Sequence, residues 1–190
     1  MIIKSAEFIR GITGTNSILT DGKKQIAFIG RSNVGKSSII NALLGRKELV
    51  KVGKKPGKTT EINFFLVNHK FYFVDLPGYG YAHVNKERLE KIRKLIIWYL
   101  TDTDIRPTCV AVILDIKVGM TKFDKEVVEI LREQNHPYII VANKSDKLNQ
   151  KETADQIKKI QEDSLSADIM VCSAQTKKGM NKVLERLLQE

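Results

Sequence analysis

Tryptophan occurs once in these 190 residues, cysteine twice, histidine three times and proline four times. Two thiols cannot form the multi-bridge framework that staples small secreted folds, and they are too few to make a zinc site by themselves. Cys109 and Cys172 both fall inside apolar, strand-like runs. That placement reads as buried, reduced thiols in a cytoplasmic protein. No apolar run approaches the roughly 18 residues needed to cross a bilayer, so stable membrane insertion is not expected. The opening Met1-Ile2-Ile3-Lys4-Ser5-Ala6-Glu7 lacks the apolar stretch and cleavage site of a secretory leader. His69, His83 and His136 show neither metal-ligand nor catalytic spacing, and His136-Pro137 reads as a turn ahead of a strand. Internal repeats, low-complexity segments and linkers are missing too. One domain over residues 1–190 is expected, with a short N-terminal extension at about 1–24.

Positive charge, in contrast, is plentiful. Thirty-two Lys and Arg against 22 Asp and Glu leave a net charge of +10, a balance that favours polyanionic partners such as RNA or an anionic surface. The hydrophobic fraction of 42% is that of a folded globular chain, not a disordered one.

The most informative segment is Gly30-Arg31-Ser32-Asn33-Val34-Gly35-Lys36-Ser37. It follows the apolar run Ile26–Ile29 and precedes Ser38-Ile39-Ile40-Asn41-Ala42-Leu43-Leu44. The layout is strand, glycine loop, helix, with the spacing G-x-x-x-x-G-K-S of a phosphate-binding P-loop. The two glycines permit a tight turn that aims N–H groups inward, and the helix adds its positive dipole end. Lys36 would reach the β- and γ-phosphates, and Ser37 offers a hydroxyl to Mg²⁺.

Apolar strand-like runs recur at 26–29, 62–67, 71–74, 109–114, 138–142 and 169–172. Between them, residues 86–100 place Leu89, Ile92, Ile96 and Tyr99 on one helical face. Thr121-x-x-Asp124 opens another helix as a capping box, and Met180, Val183, Leu184, Leu187 and Leu188 line a last one. Trp98 is expected in the core. Alternating strands and helices predict an α/β fold: about six strands, mostly parallel, with helices on both faces. The turn Val67-Asn68-His69-Lys70 predicts one antiparallel edge pair. Residues 45–60, with six basic residues and three glycines, predict a long functional loop beside the phosphates.

Three further motifs end predicted strands, where open α/β sheets bind ligands. Asp75-Leu76-Pro77-Gly78 would hold Mg²⁺ through water at Asp75 and sense the γ-phosphate at the Gly78 N–H. Asn143-Lys144-Ser145-Asp146 points to guanine: the Asp146 carboxylate only accepts, and guanine N1–H and the N2 amino group are adjacent donors. Adenine would leave that carboxylate unpaired. The Lys144 stem would cover the base plane, Asn143 would bind N7 or the neighbouring backbone, and the Ala174 N–H after Ser173 would donate to guanine O6.

Gly30–Ser38, Pro56-Gly-Lys-Thr59, Ile62-Asn63-Phe64-Phe65, Asp75-Leu-Pro-Gly-Tyr-Gly-Tyr81 and Asn143–Asp146 together resemble the EngB family of ribosome-biogenesis GTPases. The resemblance covers essentially the whole chain. Its Ile-Asn-Phe-Phe and Pro-Gly-Tyr-Gly-Tyr runs are the discriminating parts. It implies a three-layer, Ras-like P-loop NTPase fold, GTP and GDP as ligands, Mg²⁺, and a monomer acting on the large ribosomal subunit precursor, its rRNA and its proteins. It also implies a link to cell division and septation. A nonenzymatic guanine-nucleotide sensor acting through a protein partner is the alternative reading.

By the same resemblance the nucleotide site takes in Gly30, Arg31, Ser32, Asn33, Val34, Gly35, Lys36, Ser37 and Ser38. It continues through Gly57, Lys58, Thr59, Thr60 and Glu61, then Asp75, Leu76, Pro77 and Gly78. Asn143, Lys144, Asp146, Cys172, Ser173 and Ala174 complete it. Ser37 and Thr59 would ligate Mg²⁺, with Lys36, Thr59 and Asp75 as catalytic groups. Many GTPases orient water with a glutamine after Asp-x-x-Gly; here Tyr79 stands there, so intrinsic turnover is expected to be slow. Asn33 resembles the P-loop asparagine of K⁺-activated GTPases. It would place a K⁺ ion at the developing charge or merely brace the loop, and the residues leave both readings open. Tyr79, Tyr81 and His83 would stack on unpaired bases or pack near the switch.

Overall fold

Period-2 side-chain alternation decides how the sheet is filled. In β2 (Lys24–Gly30), Ala27 and Ile29 enter one apolar cluster, and Ile26 and Phe28 enter the other. In β5 (Cys109–Asp115), Val110 and Val112 face one way and Ala111 and Ile113 the other. Both faces of these central strands are therefore covered, as continuous apolar runs in parallel strands demand. The computed structural model describes residues 2–46, 49–50, 61–80, 85–164 and 167–189.

The other strands are β1 (Ala6–Ile12), β3 (Ile62–Val67), β4 (Phe71–Asp75), β6 (Tyr138–Asn143) and β7 (Ile169–Val171). They form one sheet in the order β1-β3-β4-β2-β5-β6-β7. Five of the strands, β4 through β7 with β2, run parallel. The helices are α1 (Lys36–Leu43), α2 (Lys86–Thr101), α3 (Lys122–Glu133), α4 (Gln150–Asp163) and α5 (Met180–Leu188). Ile92, Ile96 and Tyr99 of α2, Val127 and Leu131 of α3 and Ile160 of α4 cover one face. Ile39, Ile40 and Leu43 of α1 and Val183 and Leu187 of α5 cover the other. Three layers result, as expected.

The expected antiparallel pair is β3 with β4. The structure adds a seventh strand and a second antiparallel pair, because β1 pairs with β3. Residues 6–12 are thus sheet, where a plain N-terminal extension was expected. The reason is an edge position. Phe8 and Ile9 stay exposed, so the segment shows no buried alternation, and its register shifts between Phe8 and Arg10. Such a bulge blunts an open edge. The strongly charged α4 offers little apolar periodicity in its sequence. It buries only Ile160 fully, but Asn149 and Glu152 form a complete capping box at its start. Trp98, expected in the core, is only partly buried against it.

Among the described residues, buried Arg88 Nε and Arg93 Nε of α2 lack a hydrogen-bond partner, whereas Gln25 and Tyr99 are paired. The buried Gln25 donates to the Leu19 carbonyl (2.8 Å) and accepts from the Tyr99 hydroxyl (2.9 Å). Burial alone pushes the Tyr99 phenol far above its ordinary range, so it remains a donor. Replacing it by Tyr99→Phe leaves Gln25 Oε1 without its buried donor. The expected cost is about 1–3 kcal/mol in a chemical-denaturation midpoint analysis at unchanged m-value.

Candidate functional site

Parallel registration carries the chemistry-bearing residues to one edge. Phe28 pairs with Asp75, Gly30 with Ile113, Asp115 with Asn143 and Ala142 with Val171. The residues that follow β2, end β4 and β6, and follow β7 therefore meet at the carboxyl ends of the strands, the usual ligand crevice of such sheets.

The loop from Gly30 to Gly35 turns tightly. A Cβ on Gly30 would stand 2.6 Å from the Ile113 carbonyl oxygen. Gly35 sits at φ +96°, and a Cβ there would collide with the Asn143 amide. Both positions need glycine. Gly35 is the N-cap of α1 and supplies no side-chain acceptor, and no acidic residue stands in the first turn. The helix N–H groups and positive dipole end stay open toward the crevice, which suits an anion.

One end of the crevice is charged. Lys36 and Asp75, both buried, form an ion pair. Either charge alone would be costly there, so each needs a partner in every state. The Ser32 N–H donates to the Tyr79 carbonyl at 2.7 Å, and a hypothetical Cβ on Gly78 would lie 3.2 Å from Ser32 Oγ. The Asp75–Tyr79 segment thus lies directly against the loop. Ser37, partly buried in the first turn of α1, and the Asp75 carboxylate are hard-oxygen donors of the kind Mg²⁺ takes. No cluster of three or more His, Cys, Asp or Glu capable of holding a metal exists among the described residues. These donors fit an ion that completes its shell with phosphate oxygens and water.

The other end is built by Asn143. Its Nδ2 donates to the Val34 carbonyl (2.8 Å), and its Oδ1 accepts from the Ala174 N–H (3.0 Å). Of the two roles expected for Asn143, bonding to the neighbouring backbone is the one seen. The Ala174 N–H, expected to serve a base carbonyl, is engaged by Asn143 instead, because that buried amide oxygen needs a donor. Lys144, at φ +67°, stretches its ammonium to the Asn33 carbonyl (2.6 Å) and Asp115 (2.7 Å). Asp146 is exposed and accepts from the buried Ser173 hydroxyl at 2.5 Å. That bond orients the carboxylate and leaves it lone pairs for a ligand.

Some expected residues lie elsewhere. Cys172 is buried, its Sγ 3.9 Å from Asn143 Oδ1, behind the crevice instead of lining it. The carboxylate of Glu61 lies over Gly11 of β1. Gly57, Lys58, Thr59 and Thr60, most of the 45–60 loop, Tyr81 and His83 lie outside the described residues. Tyr79 does not present its ring to a partner's bases. It is 2% exposed, its ring stands edge-on to Phe123 (centroids 4.6 Å apart), and its hydroxyl donates to buried Asp124. Burial first, and then the Asp124 charge, push its phenol well above the usual range. Asp115 and Asp124 were not anticipated at the site. Asp124 carried a signal only as a helix cap, and Asp115 only as a carboxylate ending an apolar strand.

The family described as "50S ribosome-binding GTPase" matches residues 25–144, and the "Elongation factor Tu GTP binding domain" matches 105–190. A relative from Clostridium acetobutylicum, "Probable GTP-binding protein EngB", is 42% identical over 98% of this chain and 94% of its own. A protein of the same name from Kosmotoga olearia is 39% identical over 99% of this chain and all of its own. The crystal structure of a probable GTP-binding protein engB superposes with a TM-score of 0.72 at 27% identity, covering 86% of this chain and 96% of the other. Era from Aquifex aeolicus, bound to GDP and aluminium fluoride, has a TM-score of 0.65 at 23% identity over 86% of this chain and 55% of its own, a likeness of fold.

The two thiols give a direct check on the packing behind the crevice. Burial pushes Cys172 up to about 12. Cys109 rises to about 11, also through burial, with Arg186 opposing and Asp168 adding. Neither should react with a maleimide in the native protein at pH 8, and both should react after unfolding. The unfolded thiols ionise near pH 8.5, so stability is unaffected by them below that pH and falls as pH rises from there toward 11. A native thiol labelled within minutes at pH 8 would contradict this burial.

Proposed function

The chain belongs to the EngB family of GTP-binding proteins, and from that premise we propose that it is a GTP-driven switch assisting assembly of the large ribosomal subunit in the cytoplasm, with a dependent role in cell division and septation. It binds guanine nucleotides and is a GTPase, which sets aside the nonenzymatic sensor. The observation that carries the guanine reading is the Asn143 bridge: it holds the Gly30–Ser37 loop to the Ser173–Ala174 turn, with the Asp146 carboxylate open beside it.

Lys36 would exchange Asp75 for phosphate oxygens, and the N–H groups opening α1 would take the remaining phosphate charge. Bound Mg²⁺ would supply further charge neutralisation at the β- and γ-phosphates, held by Ser37 and, from the family resemblance, Thr59, with Asp75 acting through water. The Ala174 N–H would serve guanine O6 only once Asn143 Oδ1 releases it. Tyr79, with its hydroxyl on Asp124, has no water-orienting group to offer, so hydrolysis by the free protein would be slow. Asn33 is exposed at φ +68°, and its side chain makes no hydrogen bond among the described residues. That freedom favours its use as a K⁺ ligand over bracing of the loop.

The net charge of +10 and the run Lys86, Arg88, Lys91, Arg93 and Lys94 on α2 support rRNA in the large-subunit precursor as the partner of a monomeric protein. GTP turnover should rise on adding large-subunit particles, and again in KCl over NaCl at equal ionic strength. Equal rates in the two salts would remove K⁺ from the mechanism. Equal particle occupancy with GDP and a GTP analogue would remove the switch. Asp146→Asn should weaken GTP on the order of a hundredfold and improve xanthosine triphosphate, whose C2 carbonyl accepts from the new amide. Competition binding with the two triphosphates reads this.

A further inference from the structure

The two ends of the crevice differ in what a nucleotide must displace. At the Asn143 end the loop is braced from behind, by bonds to the Val34 and Asn33 carbonyls. At the Asp75 end the Tyr79 carbonyl takes the Ser32 N–H, one of the donors of a phosphate-binding loop. A base seated at Asp146 would direct its phosphate chain from the first end toward the second. The terminal phosphate of a triphosphate would then approach the Tyr79 backbone, and a diphosphate would stop short of it.

Tyr79 is not loosely placed. Its hydroxyl donates to Asp124, whose other oxygen accepts from the Thr121 N–H (2.6 Å) and hydroxyl (2.5 Å) at the start of α3. Its ring rests edge-on against Phe123, and the Arg93 guanidinium of α2 lies 4.7 Å from the Phe123 ring centre. The residue that replaces the water-orienting glutamine is thus moored to the N-terminus of α3, and the same aromatic ring receives α2.

We propose that Tyr79 and Asp124 form a positioning latch that discriminates GTP from GDP: the pair holds the Tyr79 carbonyl on the Ser32 N–H of the P-loop, and only a γ-phosphate displaces that contact. This rests on the GTPase reading above. The latch lowers affinity for GTP and leaves GDP alone, so the protein turns over to its triphosphate state only against this restraint. Release of the Tyr79 ring also uncovers Phe123 beneath Arg93, which carries the change to the basic face of α2.

The test is the ratio of affinities for GDP and a non-hydrolysable GTP analogue, measured with fluorescent nucleotides in Mg²⁺. Tyr79→Phe keeps the ring on Phe123 and leaves both Thr121 donors to Asp124. It should tighten the GTP analogue about tenfold relative to GDP, the scale of one hydrogen bond to a carboxylate. Asp124→Asn should move the ratio the same way, and the double variant no further than the larger single effect. If Tyr79→Phe lowers stability but leaves the ratio unchanged, the contact is structural packing and the latch is wrong. A ratio shifted toward GDP is equally fatal, since the pair would then support the triphosphate state. Wild-type protein that bound neither nucleotide would overturn the GTP-binding reading itself, and the latch would fall with it.

Discussion

A single buried amide ties the site together. Asn143 ends β6, and its side chain reaches sideways in both directions, to the Val34 carbonyl of the P-loop and to the Ala174 N–H after β7. Three loops that are far apart in sequence become one wall because one amide has a donor and an acceptor to spend, and burial makes it spend both. Gly35 is glycine for the same reason: its missing Cβ is the space that the Asn143 amide occupies. The same bridge brings the Ser173–Ala174 turn, whose Ser173 hydroxyl donates to Asp146, beside the Gly30–Gly35 loop.

Electrostatics sets the opposite end. Lys36 and Asp75 neutralise one another in a buried position, next to a helix start with no cap and no acid. The arrangement is balanced but not satisfied: the first-turn N–H groups of α1 have no side-chain acceptor, and the lysine has one carboxylate. A polyphosphate with a divalent ion would offer each charge a replacement of the right sign, and binding would then proceed without stranding a buried ion, whose desolvation would otherwise dominate.

Tyr79 shows how a residue at a reactive position can belong to the core. Its aromatic ring extends the cluster formed with Phe123 and α2, and its hydroxyl meets the carboxylate that caps α3. Asp124 therefore does two jobs. The capping role is local, written in the Thr121-x-x-Asp124 spacing. The Tyr79 contact joins residues 45 positions apart and has no signature in sequence.

By itself the sequence determined the central parallel sheet, the P-loop between β2 and α1, and the identity of the residues at the strand ends. Apolar periodicity, glycine spacing and helix caps are short-range properties that any reading frame of a dozen residues contains. It also carried the expectation of guanine, because an acceptor-only carboxylate is a property of one residue. Only the tertiary structure decided that residues 6–12 form an edge strand, since their partners on β3 lie 50 or more residues away and Glu7 to Arg10 stay exposed. It also decided that Cys172 stands behind the site, that the Ala174 N–H is held by Asn143, and that Tyr79 turns inward to Asp124. Each of these depends on which backbone segment the sheet brings within hydrogen-bonding distance, and that distance is set by packing across the layers.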